Sequence, residues 1–96
     1  MPAPTLSPKE EIILRILVDQ GPLYGLEIVD ASDGELKRGT VYVTLARMED
    51  KGFLNVLAPP RGESTPGLPR PRYRISALGQ RMLDAVDLIK GKTVLA

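Results

Sequence analysis

The stretch Arg38 Gly39 Thr40 Val41 Tyr42 Val43 Thr44 Leu45 Ala46 Arg47 Met48 Glu49 Asp50 Lys51 Gly52 decides the fold. Wound as a helix, it puts Val41, Leu45 and Met48 on one narrow apolar stripe. Thr40, Thr44, Arg47 and Lys51, with Val43 beside them, form a second stripe that points elsewhere, and Glu49 and Asp50 fall off it. Lys51 suits the negative end of the helix dipole, and Gly52 supplies the left-handed residue that ends a helix. A helix with one core face and one face of hydroxyls and cations suits the DNA major groove, where Arg bonds guanine O6 and N7 and Thr contacts bases or phosphates. Tyr42 falls between the stripes; its ring can pack, and its hydroxyl can reach a phosphate.

On the N-terminal side, Ser7 Pro8 Lys9 Glu10 spells a helix start: a capping Ser, Pro at the first helical position, and Glu three residues after the cap. This first helix is expected from Pro8 to Gln20. Glu11, Arg15 and Asp19 share one stripe, while Ile12, Ile13, Leu14, Ile16, Leu17 and Val18 cover most of the rest. Such a helix needs burial on more than one side, by a partner subunit or by a tightly wrapped monomer. Gly21 Pro22 breaks it, and Leu23 to Val29 reads as a short second helix in which Gly25 permits close approach. The acidic run Asp30 Ala31 Ser32 Asp33 Gly34 Glu35 lacks the ligand spacing of a calcium loop and reads as a solvated turn.

On the C-terminal side, Phe53 to Leu57 and Arg72 to Ser76 read as two strands that pair as a hairpin. The Pro- and Gly-rich stretch 58–71 is its long loop, and Arg61 and Arg70 in it sit beside prolines that stiffen the chain. Either these arginines are held toward a phosphate backbone or the loop is a solvated tip. Ser76 then caps a final helix, Ala77 to Lys90, with Leu78, Met82, Val86 and Ile89 on one stripe and Leu83 flanking it; Gly91 ends it. That stripe is longer than the rest of the fold needs, which points to a subunit contact; the alternative is packing within the monomer.

Composition narrows the chemistry. The chain has 96 residues, enough for one domain, with 43% hydrophobic and 26% charged residues. It has no Cys and no His, which removes disulfides, thiolate zinc sites and imidazole or thiol catalysis. Glu10, Glu27 and Asp30 offer no catalytic spacing, so no enzyme is expected. No apolar run approaches the roughly 18 residues of a membrane span, and the start Met1 Pro2 Ala3 Pro4 lacks a signal-peptide pattern. The expectation is therefore a soluble, cytoplasmic protein with no membrane contact.

The net charge of +1 hides a sorted distribution: residues 1–36 carry two basic and seven acidic side chains, and residues 37–74 carry eight basic and three acidic ones. The basic segment coincides with the third helix and the hairpin. Helix, helix, helix, hairpin, helix is the order of a winged helix-turn-helix, in which the third helix enters the major groove and the hairpin touches the flanking backbone. The expected fold is thus mainly α with a small β-hairpin: three helices, a two-stranded wing and a C-terminal dimerisation helix. Residues 1–76 form the DNA-binding part and 77–96 the dimerisation helix and tail.

The residues also carry a resemblance. Leu23 Tyr24 Gly25 Leu26 Glu27 Ile28, then Gly39 Thr40 Val41 Tyr42 with Leu45, Arg47, Met48, Glu49 and Gly52, then Arg72 Tyr73 Arg74 Ile75 Ser76 with Gly79, resemble the PadR family of bacterial transcriptional regulators. The resemblance implies a homodimeric repressor on an inverted-repeat operator, released by a small molecule near the dimer interface. Val43 stands where a proline is common, the hairpin loop is long, and the C-terminal region is one short helix, as in the short form of the family. With no Trp and 4% aromatic residues, an aromatic sandwich for a flat ligand has little to be made from. No cofactor or metal is expected, and whether an effector exists stays open.

The site expected from these readings has three parts. Thr40, Val43, Thr44 and Arg47 face bases; Lys37, Arg38, Tyr42, Lys51, Arg61, Arg70 and Arg72 face phosphate; and Ile12, Leu14, Val18, Met82, Leu83, Val86 and Ile89 form the dimer contact. The partners are double-stranded DNA and a second copy. The alternative is a protein-interaction module that offers the same basic face to an acidic partner.

Overall fold

The computed structural model describes residues 6–57 and 71–91. Its first helix, α1 (Pro8–Gln20), begins as the sequence spells: the Ser7 hydroxyl accepts from the Glu10 backbone N–H, and the Glu10 carboxylate accepts from the Ser7 N–H. Gly21, at φ +82°, turns the chain out of the helix.

The chain then departs from expectation. Leu23–Tyr24 is not helical but a short strand, β1, paired antiparallel with Tyr73 and Arg72. The second helix is α2 (Gly25–Ala31), whose start is closed by the Tyr24 N–H donating to the Glu27 carboxylate. Two residues cannot display strand alternation, so only the partner strand reveals β1.

Ser32 closes the acidic turn. It is buried, its hydroxyl donates to the Val29 carbonyl and accepts from the Leu36 N–H, and Asp33 and Gly34 take positive φ. The third helix, α3 (Arg38–Asp50), follows with Val41, Leu45 and Met48 fully buried as its stripe requires. Gly52 (φ +83°) redirects the chain into β2 (Leu54–Leu57), which pairs antiparallel with β3 (Arg72–Ile75). The sheet order β1-β3-β2 makes β3 the central strand, so the expected two-stranded wing is a three-stranded sheet.

The last helix, α4 (Ala77–Lys90), has the expected bounds, with Ser76 as cap and Gly91 left-handed at its end. Its rotation differs from the hydrophobic stripe. Leu83, expected at the flank, is buried, while Leu78 is 40% exposed. The inward face runs through Gly79, where a Cβ would lie 2.3 Å from the Phe53 carbonyl oxygen. A glycine carries no hydrophobic signal, so the true phase of α4 is hidden in its sequence.

Phe53, Ile13, Leu14, Leu17 and Ile28 join the α3 stripe in one core, to which Leu83 and Tyr73 add from α4 and β3. Each such burial contributes roughly 1.5–3 kcal/mol. Two ion pairs tie helices across it: Arg15 of α1 with Asp87 of α4, and Glu10 of α1 with Lys51 at the end of α3. Among the described residues no helix is long and apolar enough to cross a membrane.

Candidate nucleic-acid interface

Because the core takes one stripe of α3, the opposite stripe is left to solvent. Thr40, Val43 and Arg47 are exposed and Thr44 is half-buried, so the four expected base-facing residues lie on one open face. The Thr40 hydroxyl donates to the Lys37 carbonyl at 3.4 Å and the Thr44 hydroxyl to the Thr40 carbonyl at 3.3 Å. These are long bonds, which a better-placed acceptor can replace.

The start of α3 is electropositive. Lys37 is its N-cap with no side-chain capping bond, and its first turn contains no acid. The free N–H groups there and the positive end of the helix dipole lie beside two exposed cations, Lys37 and Arg38. Among the described residues no carboxylate pairs with Lys37, Arg38, Arg47 or Arg74. Arg38 and Asp30 do share a shallow hollow with Leu26 and Val29.

On β3 the alternation turns Tyr73 inward and leaves Arg72 and Arg74 exposed on the other side. Arg72 stacks its guanidinium over the Tyr24 ring, 5.1 Å from the centroid, and donates to the Tyr24 hydroxyl at 3.4 Å. Arg74, opposite Asn55 in the register, is a cation that the sequence reading left out. The signal was present, since residues two apart on a strand share a face.

Tyr42 is half exposed, with its ring laid against Gly25. A Cβ at Gly25 would meet that ring at 2.6 Å, which is the close approach expected of this glycine. The Tyr73 phenol is pushed up by burial, with Tyr42 and Glu49 adding to the effect.

Lys51, expected at phosphate, is exposed and also ion-paired: its ammonium lies 2.9 Å from a Glu10 carboxylate oxygen and 5.8 Å from the centre of the Phe53 ring. Two of the expected assignments need correction. Leu14 and Leu83, expected at a subunit contact, are buried within the chain at 0% and 4% exposure, because α1 and α4 turn these residues onto the shared core. Ile12 and Met82 are partly buried against the same core. Val18 and Ile89 remain exposed, at 48% and 86%, and Val86 is half-buried. Ile89 and Val86 line an open groove of about 310 Å³ with Leu6, Pro8 and Glu11. Arg61 and Arg70 lie outside the described residues.

A helix-turn-helix whose second member exposes hydroxyls and cations, flanked by a small antiparallel sheet, defines the winged helix-turn-helix class. Residues 13–85 match the model of the transcriptional regulator PadR-like family, and the chain belongs to that family. Among solved structures, it is similar to a PadR-like transcription factor from Bacteroides fragilis, with 24% identity and a TM-score of 0.69, over 85% of this chain and 80% of that one. A PadR family transcription regulator from Clostridium difficile R20291 shares 26% identity at a TM-score of 0.65, over 81% and 82% of the two chains. One from Eggerthella lenta shares 25% at 0.66, over 86% and 74%. No curated protein matches the chain.

Proposed function

We propose that this chain is a homodimeric, cytoplasmic repressor that binds an inverted-repeat DNA operator. The observation that carries the reading is the open stripe of exposed Thr40, Val43 and Arg47 and half-buried Thr44, with Lys37 and Arg38 at the head of the same helix and Arg72 and Arg74 on the neighbouring sheet. α3 enters the major groove with those four residues at base edges, and the flanking cations meet phosphates. Residues 1–76 supply this DNA-binding part. Residues 77–96 supply the subunit contact, through Val86 and Ile89 of α4, with Val18 and Ile12 contributed by α1. A small apolar effector would enter the groove bounded by Leu6, Pro8, Val86 and Ile89, at the margin of that contact.

The test is selection of bound duplexes from random DNA, followed by affinity measurement over a range of salt. A recovered inverted repeat and a steep fall of affinity with salt are expected, because each neutralised phosphate releases counterions. No enriched sequence, together with a flat salt response, would refute the reading.

A further inference from the structure

The C-terminal end of α3 is held by a charge that the DNA-facing surface does not use. Glu10 is 2% exposed, yet it lies in the first turn of α1, where a carboxylate would ordinarily be solvated. Its Oε1 accepts from the Ser7 backbone N–H at 2.8 Å and from Lys51 Nζ at 3.0 Å, and its Oε2 accepts from the same Nζ at 2.9 Å. Burial pushes this carboxyl up. The Ser7 N–H, the Lys51 ammonium and the Ser7 hydroxyl outweigh it, so the group stays below its ordinary value and is charged at neutral pH. Lys51 is the C-cap of α3, and its ammonium also lies over the buried Phe53 ring.

The two ends of α3 are therefore treated differently. At the start, the N-cap residue makes no side-chain capping bond and the cations face solvent; at the finish, a buried carboxylate takes the terminal ammonium. The apolar contacts of Val41, Leu45 and Met48 press the helix onto the core but are non-directional. The bond to Glu10 is directional, and losing Lys51 leaves the buried Glu10 carboxylate without its counter-charge. Thr40 is eleven residues from Lys51, or about 16 Å along the axis. A tilt of about 5° about that anchor moves Thr40 by about 1.4 Å, more than the span of useful hydrogen-bond lengths.

We infer that Glu10 is a positioning residue for base recognition: by clamping Lys51 it sets the tilt of α3 and so the bases that Thr40, Val43, Thr44 and Arg47 reach. The inference rests on the DNA-binding reading above.

The test compares Glu10→Gln, Lys51→Met and Lys51→Arg with the unaltered protein. Gln keeps the acceptor for the Ser7 N–H, so the start of α1 survives its introduction. The probes are the duplex recovered by selection and a scrambled duplex of equal length, each titrated at several salt concentrations. Glu10→Gln and Lys51→Met should each weaken the selected duplex about tenfold and leave the scrambled one within about twofold, with the salt slope unchanged, while Lys51→Arg should restore the preference. Equal losses on both duplexes would overturn the inference. So would a salt slope reduced by about one in Lys51→Met with Glu10→Gln silent, since that outcome makes Lys51 a phosphate ligand. If the unaltered protein itself prefers neither duplex, the DNA-binding reading has failed, and the clamp is judged by amide exchange. Glu10→Gln must then speed exchange in the last turn of α3 relative to the core of α4, and unchanged exchange sinks the clamp as well.

Discussion

Helices α3 and α4 are nearly equal in length, at 13 and 14 residues, and differ in what they leave in the solvent. The stripe of α3, Val41, Leu45 and Met48, is wholly consumed by the core, and outside it lie hydroxyls and cations together with Glu49, Asp50 and the half-exposed Tyr42 and Val43. In α4 Leu83 is deeply buried, while Leu78, Leu88 and Ile89 remain at 40%, 60% and 86% exposure. A face already satisfied by its own chain invites a polar partner. A helix that still shows leucine and isoleucine to water invites an apolar one. Two helices of like size thus prepare two different kinds of contact.

The largest expected effect tests this contrast directly. Leu45→Ala should remove about 2–5 kcal/mol of stability in urea titration, whatever the protein concentration. Ile89→Glu should instead act on association, turning dimers into monomers in sedimentation while the isolated chain melts almost as before. If both variants lower stability alike and neither alters the mass in solution, the contrast between the helices is wrong.

Next in size is Gly79→Ala. Its Cβ would press against the Phe53 carbonyl, so the start of α4 or the start of the wing must move. Overpacking of this kind costs about 1–3 kcal/mol, read as a lowered thermal midpoint. An unchanged midpoint would mean that the junction is slacker than its geometry implies.

The smallest effects fall on the open face of α3. Arg47→Ala should reduce discrimination between selected and random DNA by about 1–3 kcal/mol, whereas Lys37→Ala should weaken all duplexes alike and lower the salt slope by about one. Identical behaviour of the two variants would erase the division between residues that read bases and residues that hold the backbone.

Much of the fold was legible because its boundaries are spelled by local chemistry. Ser7 with Glu10, Ser76 with Gly91, and Gly52 after Lys51 mark helix ends within a few residues of themselves, and the structure places α1 and α4 where those marks put them. What escaped was set by distant partners. Leu23 and Tyr24 become a strand only because Tyr73 and Arg72 lie alongside. The phase of α4 follows from a glycine seated on the Phe53 carbonyl rather than from its leucines. Lys51 looks like one more cation on the outer stripe until its partner, Glu10, is seen across 41 residues of chain. Arg74 was within reach, since the strand that turns Tyr73 inward must turn its neighbours outward.

Arg15 bonds Glu11 on its own helix and Asp87 on α4, so the rod that holds the end of α3 also grips α4. Two such chains joined through α4 would carry their reading heads at a set separation, like the points of a locked pair of dividers. An operator lengthened by a few base pairs at its centre would then be refused although each half-site stayed intact, because the second head could no longer reach its groove.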